Sequence, residues 1–142
     1  MTNLTNFVRE SNRIEGINRP PSGAEINAHE TLLSFPRITV ASLCAFVSTI
    51  APGNRLRDKP GLNVRVGRHI APYGGPDIPE QLEMILAGGL EPYRQHVAYE
   101  TLHPFTDGNG RSGRALWLWA MGGHAPLGFL HTWYYQSLEN AR

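Results

Sequence analysis

Residues 102–115 read LHPFTDGNGRSGRA, a stretch in which polar side chains alternate with glycines. Within twelve positions it holds three glycines together with His103, Asp107, Asn109, Arg111 and Arg114. Glycine tolerates backbone angles that other residues avoid, so the Gly-Asn-Gly sequence predicts a sharp turn. The apolar run that follows predicts a helix over residues 110–121. The stretch is therefore a tight loop that leads into the N-terminus of a helix.

The polar residues of this loop supply the groups that phosphate chemistry needs. Backbone N–H groups at a helix N-terminus lack partners within the helix and, with the positive end of the dipole, form an anion site. Arg111 and Arg114 share a helical face near this end, which predicts binding of more than one phosphate. His103 can accept a proton, and Asp107 is the kind of ligand that Mg²⁺ prefers. Together they predict phosphoryl or nucleotidyl transfer.

Each residue also has a purely structural interpretation. His103 alone is typical of a surface or capping histidine, Asp107 of an Asx-turn, and the arginines of a solvated helix. Their combination in one loop favours the phosphate site. A hydrolytic metal site at His103 and Asp107 is a weaker alternative, because the chain offers no further ligand at a suitable spacing. Pro104 and Phe105 are expected to stiffen the loop and anchor it in the core.

The rest of the chain predicts a mainly α fold with one short β-hairpin. Apolar periodicity favours helices over residues 4–17, 39–50, 78–86 and 91–102. Another is expected between Ser22, which forms a capping box with Glu25, and Pro36. Alternation between residues 62 and 70 favours two short strands around residues 67–69. The tail after residue 127 has helical spacing.

Composition excludes several classes of protein. A length of 142 residues suits one domain. A net charge of +1, with the charges scattered, argues against nucleic-acid binding. Cys44 is the only cysteine, so an internal disulfide and a cysteine metal site are excluded. The N-terminus lacks a secretory pattern, and the apolar run at residues 38–52 is too short and interrupted for a membrane span. We expect a cytoplasmic protein with no membrane partner.

Residues 103–114, HPFTDGNGRSGR, resemble the signature of the Fic family, His-Pro-Phe-x-Asp/Glu-Gly-Asn-Gly-Arg-x-x-Arg, with every specified position filled. The resemblance implies an enzyme that transfers AMP from ATP to a Ser, Thr or Tyr hydroxyl of a target protein and releases pyrophosphate. It implies that His103 is the base and that Asp107 holds Mg²⁺. It also implies that the nucleotide phosphates bind to Gly108, Asn109, Gly110, Arg111 and Arg114, with the γ-phosphate at Arg114.

Residues 61–79 are similar to the flap of that family, a hairpin that aligns an extended target segment by backbone pairing. The residues implied in target docking are Val66, Gly67, Arg68, His69 and Ile70. A connector without a partner is the alternative. The tail is similar to the closing helix of the family through Tyr134, Tyr135 and Leu138.

Residues 11–16, SNRIEG, are similar to the inhibitory motif of the family, Ser/Thr-x-x-x-Glu-Gly/Asn. The resemblance implies that Ser11 and Glu15 lie on a helix beside the nucleotide site. It implies that Glu15 pairs with Arg114 and so occupies the group that would receive the γ-phosphate. This predicts an N-terminal inhibitory helix at residues 1–19 followed by a catalytic core at residues 20–142, within a single domain.

The sequence thus favours an auto-inhibited protein AMP-transferase that uses ATP and Mg²⁺. The target protein is not named by the sequence, and the protein itself is a natural acceptor. Relatives with such an N-terminal helix are usually longer, so we expect that elements that select the target are missing here, unnecessary or supplied by an oligomer. Two alternatives stay open. One is the reverse reaction, removal of AMP, with Glu15 positioning a water. The other is a non-catalytic nucleotide-binding regulatory or toxin-like module, in which His103 is dispensable.

Overall fold

The computed structural model describes residues 2–125. In this part of the chain six helices and one two-stranded hairpin follow one another in the order α1 (Leu4–Ile14), α2 (Gly23–Ser34), α3 (Val40–Ile50), β1 (Arg65–Val66), β2 (His69–Ile70), α4 (Asp77–Leu86), α5 (Pro92–Leu102) and α6 (Asn109–Ala120). The prediction of a mainly α fold with one short hairpin is confirmed. The predicted closing helix, with Tyr134, Tyr135 and Leu138, lies outside the described residues.

Helix α6 lies at the centre of the fold, and almost every residue from Asn109 to Leu118 is buried. Helices α1, α2, α3 and α5 all pack against it. Its apolar side chains join the main core, which is built from α2 to α6, and a smaller cluster in which Phe7 of α1 meets Trp117 and Leu118. The helix that begins in the predicted phosphate loop is thus held by packing on all sides.

Helices α2 and α3 both begin with a capping box formed by nearby polar residues. Ser22 caps α2, since its Oγ accepts the Glu25 N–H at 3.1 Å while the Glu25 carboxylate accepts the Ser22 N–H at 2.8 Å. Thr39 and Ser42 cap α3 in the same reciprocal way. These boxes satisfy N–H groups that have no acceptor within the helix, and the predicted capping box is confirmed.

Helix α1 ends three residues earlier than predicted, at Ile14 rather than residue 17. Gly16 adopts a left-handed conformation with φ of 78°. Its N–H donates to the Arg13 carbonyl, and the Ile17 N–H donates to the Asn12 carbonyl, both within hydrogen-bond distance. This pair of bonds is the Schellman motif, which closes a helix with a glycine after its cap. Glu15 is therefore the cap of α1 and the last residue that the helix orients.

Helix α1 is attached to the core by apolar and polar contacts. Phe7 and Val8 are buried. The buried Asn12 donates from Nδ2 to Glu25 Oε2 at 3.1 Å, and Arg19 pairs with the same carboxylate at 2.6 Å. Burial raises the pKa of Glu25, but the bonds from Arg19, Ser22 and Asn12 outweigh it and lower the value to about 2. Glu25 therefore stays ionised and holds α1 against α2 at neutral pH.

The hairpin pairs Arg65 with Ile70 and Val66 with His69 in antiparallel register. Gly67, with φ of 59°, forms its turn with Arg68. The predicted pair of strands is confirmed. His69 donates from Nε2 to the Thr101 carbonyl at 2.9 Å, which ties the hairpin to the last turn of α5.

Within residues 2–125 no helix is both long and apolar enough to cross a membrane.

The two glycines that follow the hairpin provide a matched test of packing. A Cβ at Gly74 would lie 2.5 Å from the Leu62 carbonyl oxygen and 2.6 Å from that of Lys59, whereas a Cβ at Gly75 would meet nothing within 4 Å. We predict that Gly74→Ala lowers the free energy of unfolding by about 1–3 kcal/mol, because two backbone carbonyls must move. We predict that Gly75→Ala changes it by less than about 0.5 kcal/mol. Urea unfolding of both variants checks this, and equal stability would contradict the close approach at Gly74.

Candidate active site

His103 begins the loop between α5 and α6 in an uncommon backbone conformation, with φ of 50° and ψ of 64°. Its Nδ1 lies 2.8 Å from the Glu100 carbonyl oxygen. A carbonyl can only accept a hydrogen bond, so Nδ1 carries the proton and Nε2 carries the lone pair of the neutral ring. The ring is thus oriented with its basic nitrogen directed away from α5.

The carbonyls at the end of α5 are satisfied by three basic side chains. His103 donates to Glu100, and His69 donates to Thr101. Arg57 donates from Nη2 to the Leu102 carbonyl at 2.7 Å and from Nε to the His103 carbonyl at 2.6 Å. Four successive carbonyls at the negative end of the helix dipole therefore have donors that can carry positive charge.

Burial lowers the pKa of His103 below its usual value. The hydrogen bond to the Glu100 carbonyl opposes this effect, positive charges on His69 and Arg57 add to it, and the negative charge of Glu15 opposes it. The shift keeps the imidazole neutral at physiological pH, which is the state in which it can accept a proton.

The N-terminus of α6 is left open. Gly108 is its cap, with φ of 80°, and no side chain makes a capping bond there. The backbone angle at Gly108 favours glycine, and a Cβ there would also make tight contacts, 3.1 Å from both Ala51 Cβ and Val47 Cγ1. The first amides of a helix lack intrahelical acceptors. This end of α6 can therefore bind an anion.

The side chain of Asn109 closes the loop from within. Its Oδ1 accepts the Phe105 N–H at 2.9 Å, and its Nδ2 donates to the Phe105 carbonyl at 2.7 Å. Asn109 and Phe105 are both buried. The expected anchoring of Phe105 in the core is confirmed. We expected Asn109 to help bind phosphate. In the structure its side-chain amide holds the shape of the loop, and the backbone of Gly108 and Gly110 on either side forms the start of α6.

Asp107 is exposed beside the open end of α6, and its Oδ1 accepts the Gly108 N–H at 2.7 Å. Within residues 2–125 no group of three or more His, Cys, Asp or Glu side chains could hold a metal ion without other ligands. Mg²⁺ is usually held by one or two carboxylates together with phosphate oxygens and waters. The single carboxylate of Asp107 fits that manner of binding and does not fit a site made by protein alone.

The two motif arginines diverge. Arg111 donates from Nη1 to the Ile50 carbonyl at the end of α3, at 2.8 Å. Arg114 is fully buried and turns toward α1. Its Nε donates to Ser11 Oγ at 2.8 Å, and its Nη2 donates to the Ser11 carbonyl at 2.8 Å and to Glu15 Oε1 at 2.9 Å. The structure thus brings together Ser11, Glu15 and Arg114, as the resemblance implied. Arg111 does not join this group and binds the end of α3 instead.

A buried carboxylate stands next to this ion pair. Both oxygens of Glu100 are buried, and neither has a hydrogen-bond partner in the described part of the chain. Burial raises the pKa of Glu100 to about 8, against the attraction of Arg114 and with the repulsion of Glu15. Its carboxyl group packs over Gly113, where a Cβ would overlap Oε1. At neutral pH Glu100 is therefore mostly protonated and does not compete with Glu15 for Arg114.

Arg57 and Glu100 contribute to the site but were not predicted. Neither belongs to the motif of residues 103–114, and Arg57 is 46 residues away from His103, whose carbonyl it binds. Glu100 stands three residues before the motif. The sequence of α5 does not single out Glu100, because the buried residues of that helix also include Gln95 and His96.

Comparison with known families gives one result. The sequence model of the Fic/DOC family matches residues 93–121, which contain α5 except its first residue, the loop and α6. The match covers every specified position of the motif and supports a Fic-type domain, a class generally related to AMP transfer. It covers about a fifth of the chain and does not include α1 or the hairpin. No curated protein and no solved structure matches the chain.

The raised pKa of Glu100 predicts a specific dependence of stability on pH. A carboxyl whose pKa is higher in the folded than in the unfolded state destabilises the fold as pH rises from its unfolded value, near 4.5, to its folded value, about 8. We predict that Glu100→Gln is more stable than the wild type at pH 8, with a difference that grows by up to about 1.4 kcal/mol per pH unit.

Denaturant unfolding from pH 6.5 to 8.5 measures this difference. The range starts at pH 6.5, the usual pKa of histidine. Burial lowers the pKa of His29 and His96 to about 4, so a pH below 6.5 would destabilise the fold through these two side chains as well. Glu30→Gln, at an exposed carboxylate of α2, is the control. A difference between wild type and Glu100→Gln that is constant with pH would contradict the prediction.

Proposed function

We propose that this protein is an auto-inhibited protein AMP-transferase, which moves AMP from ATP to a Ser, Thr or Tyr hydroxyl of a target protein or of itself. The observation that carries the proposal is the juxtaposition, within the segment that matches the Fic/DOC family, of a histidine oriented as a base and an uncapped helix N-terminus. A base next to an anion site is what nucleotidyl transfer requires.

In the proposed reaction, Nε2 of His103 accepts the proton of the target hydroxyl. The hydroxyl oxygen forms a bond to the α-phosphorus, and the bond from that phosphorus to the bridging oxygen of the β-phosphate breaks. Pyrophosphate leaves with the bonding electrons. The lowered pKa of His103 favours the neutral base at physiological pH. General base catalysis of this kind contributes about 10²–10⁴-fold to the rate.

The proposed phosphate site is the N-terminus of α6. The backbone amides in the first turn of α6, which includes Gly110, provide donors, and Arg111 and Arg114 provide positive charge nearby. Asp107 is the residue that would hold Mg²⁺. The metal, when bound with the nucleotide, neutralises part of the charge on the phosphates.

Inhibition is proposed to act through Arg114. Its guanidinium is buried and already binds Ser11 and Glu15. A γ-phosphate would therefore have to displace the Glu15 carboxylate, whose side chain is 36% exposed, from a fully buried arginine. Since the carboxylate is attached to the same chain, it competes at high effective concentration.

The reverse reaction is supported by one specific observation. Arg114 Nη2 holds the carboxylate of Glu15 at 2.9 Å, and the negative charge of Glu15 acts to raise the pKa of His103. A carboxylate in that position can orient a water for attack on an AMP-modified residue. The variant Glu15→Gln separates the two roles of this residue, because loss of the carboxylate would activate AMP transfer but abolish AMP removal.

We predict that Glu15→Gln raises AMP transfer by about 5- to 150-fold, the range given by coupling free energies of about 1–3 kcal/mol. The substitution removes the charge and keeps the shape of the side chain. The measurement is mass spectrometry of the purified protein after incubation with Mg²⁺ and ATP, UTP, GTP or CTP separately. It reports the nucleotide, the modified residue and the activity together.

Two variants control this experiment. Glu10→Gln changes another carboxylate of α1, one that pairs with Arg13 rather than with Arg114, and should leave transfer unchanged. Glu15→Gln combined with His103→Ala should lower transfer by about 10²–10⁴-fold. Absence of transfer by Glu15→Gln with every nucleotide would contradict the proposal. Nucleotide binding without turnover, measured by calorimetry, would favour the non-catalytic module.

A further inference from the structure

Arg57 is a fully buried arginine that pairs with no carboxylate among residues 2–125. Its guanidinium instead donates four hydrogen bonds to backbone carbonyls. Nε and Nη2 bind the His103 and Leu102 carbonyls, and Nη1 binds those of Leu62 at 3.0 Å and Pro72 at 2.7 Å. Four of the five N–H donors of the side chain therefore have partners.

A buried charge without a counterion is costly, so its surroundings must compensate. Burial does lower the pKa of Arg57, although a guanidinium stays protonated at any ordinary pH. Two of its acceptors lie at the C-terminal end of α5, where the helix dipole favours a cation. The charge is thus stabilised by the same carbonyls that it orients.

The four acceptors come from two regions that differ in role. Leu62 precedes the hairpin strands and Pro72 follows them, so Nη1 closes the base of the hairpin. Leu102 and His103 form the junction of α5 with the loop. The backbone of Arg57 joins the same regions, since its N–H donates to the Pro104 carbonyl at 2.9 Å and its carbonyl accepts the Gly75 N–H at 3.0 Å.

The conformation of His103 depends on this arrangement. A residue other than glycine costs roughly 1–2 kcal/mol in the left-handed region, and His103 is the only such residue in the described chain. The bond from Arg57 Nε to its carbonyl, at 2.6 Å, opposes relaxation of that peptide toward an ordinary conformation. The left-handed turn is also what brings the His103 Nδ1 back to the Glu100 carbonyl.

We infer that Arg57 is a positioning residue for the proposed transfer. Its hydrogen bonds hold the imidazole of His103 and the base of the hairpin in fixed positions relative to each other. This inference rests on the proposed function for its catalytic meaning. Arg57, a residue outside the motif, would thereby align His103 with a target segment bound at the hairpin. Arg57 contacts no reacting atom, so its loss should lower kcat and leave the KM for ATP nearly unchanged.

The test compares Arg57→Met and Arg57→Lys with Arg55→Met. Arg55 is exposed, two residues away, and contributes to the loop only through its backbone bonds with Thr106. Met removes the charge and all four bonds. Lys keeps the charge but lacks the planar fork that reaches carbonyls on different segments. Thermal unfolding verifies that each variant is folded.

Two measurements do not require activity. The first is NMR titration of the His103 imidazole, assigned by its absence in His103→Ala. Arg57→Met should raise the pKa of His103, because the nearby charge is lost and the ring becomes more solvated, and Arg57→Lys should raise it less. The second is hydrogen exchange of the Ala71 amide, which is bonded to Val64 in the hairpin, and which should exchange faster in Arg57→Met.

Transfer is then measured in the Glu15→Gln background. We expect kcat to fall by about 10²-fold for Arg57→Met, the cost of misplacing a catalytic group by about 1 Å, with a smaller loss for Arg57→Lys. The inference is overturned if both variants fold and leave the His103 titration and Ala71 exchange as they are in Arg55→Met. If Arg57→Met does not fold, Arg57→Lys decides by the same criteria. If Glu15→Gln shows no transfer at all, the proposed function fails, and the two NMR measurements still decide whether Arg57 positions His103.

Discussion

Two helix ends of opposite polarity meet in a loop of residues 103–108, and the surrounding structure treats them differently. At the end of α5, side chains that can carry positive charge bind four successive carbonyls. At the start of α6, no side chain caps the helix. The fold thereby neutralises the negative pole and leaves the positive pole available, which is the electrostatic condition for binding phosphate next to a neutral histidine.

The cost of this arrangement is a set of ionisable groups inside a small core. Arg57 and Arg114 are fully buried, and their surroundings satisfy them in different ways. Carbonyls of fixed backbone surround Arg57, so its partners cannot leave without deforming the loop. Arg114 binds a hydroxyl, a carbonyl and the carboxylate of the partly exposed Glu15, so one of its partners can be exchanged. The first arginine is suited to structure and the second to regulation.

The parts of the fold that sequence could predict are those decided by local interactions. The capping box of Ser22 and Glu25, the hairpin around Gly67 and the loop that precedes α6 all follow from neighbours in the chain. The pairing of Glu15 with Arg114 was implied by a resemblance to a known motif. The partners of Arg57 and Arg111 could not be predicted, because each depends on which backbone carbonyls the packed helices bring within 3 Å. The early end of α1 was missed because Ile17 continues the apolar pattern while Gly16 has already closed the helix.

The closure of α1 at Gly16 makes the length of the segment between Ser11 and Glu15 as important as its composition. Both residues bind the same guanidinium, and they do so because four residues advance an α-helix by slightly more than one turn. Insertion or deletion of a single residue between them would rotate the carboxylate by about 100° around the helix axis and carry it away from Arg114. Substitution of the exposed Arg13, which lies between them, keeps that geometry. Over time, this segment can therefore tolerate changes of side chain on its exposed face but not changes of register.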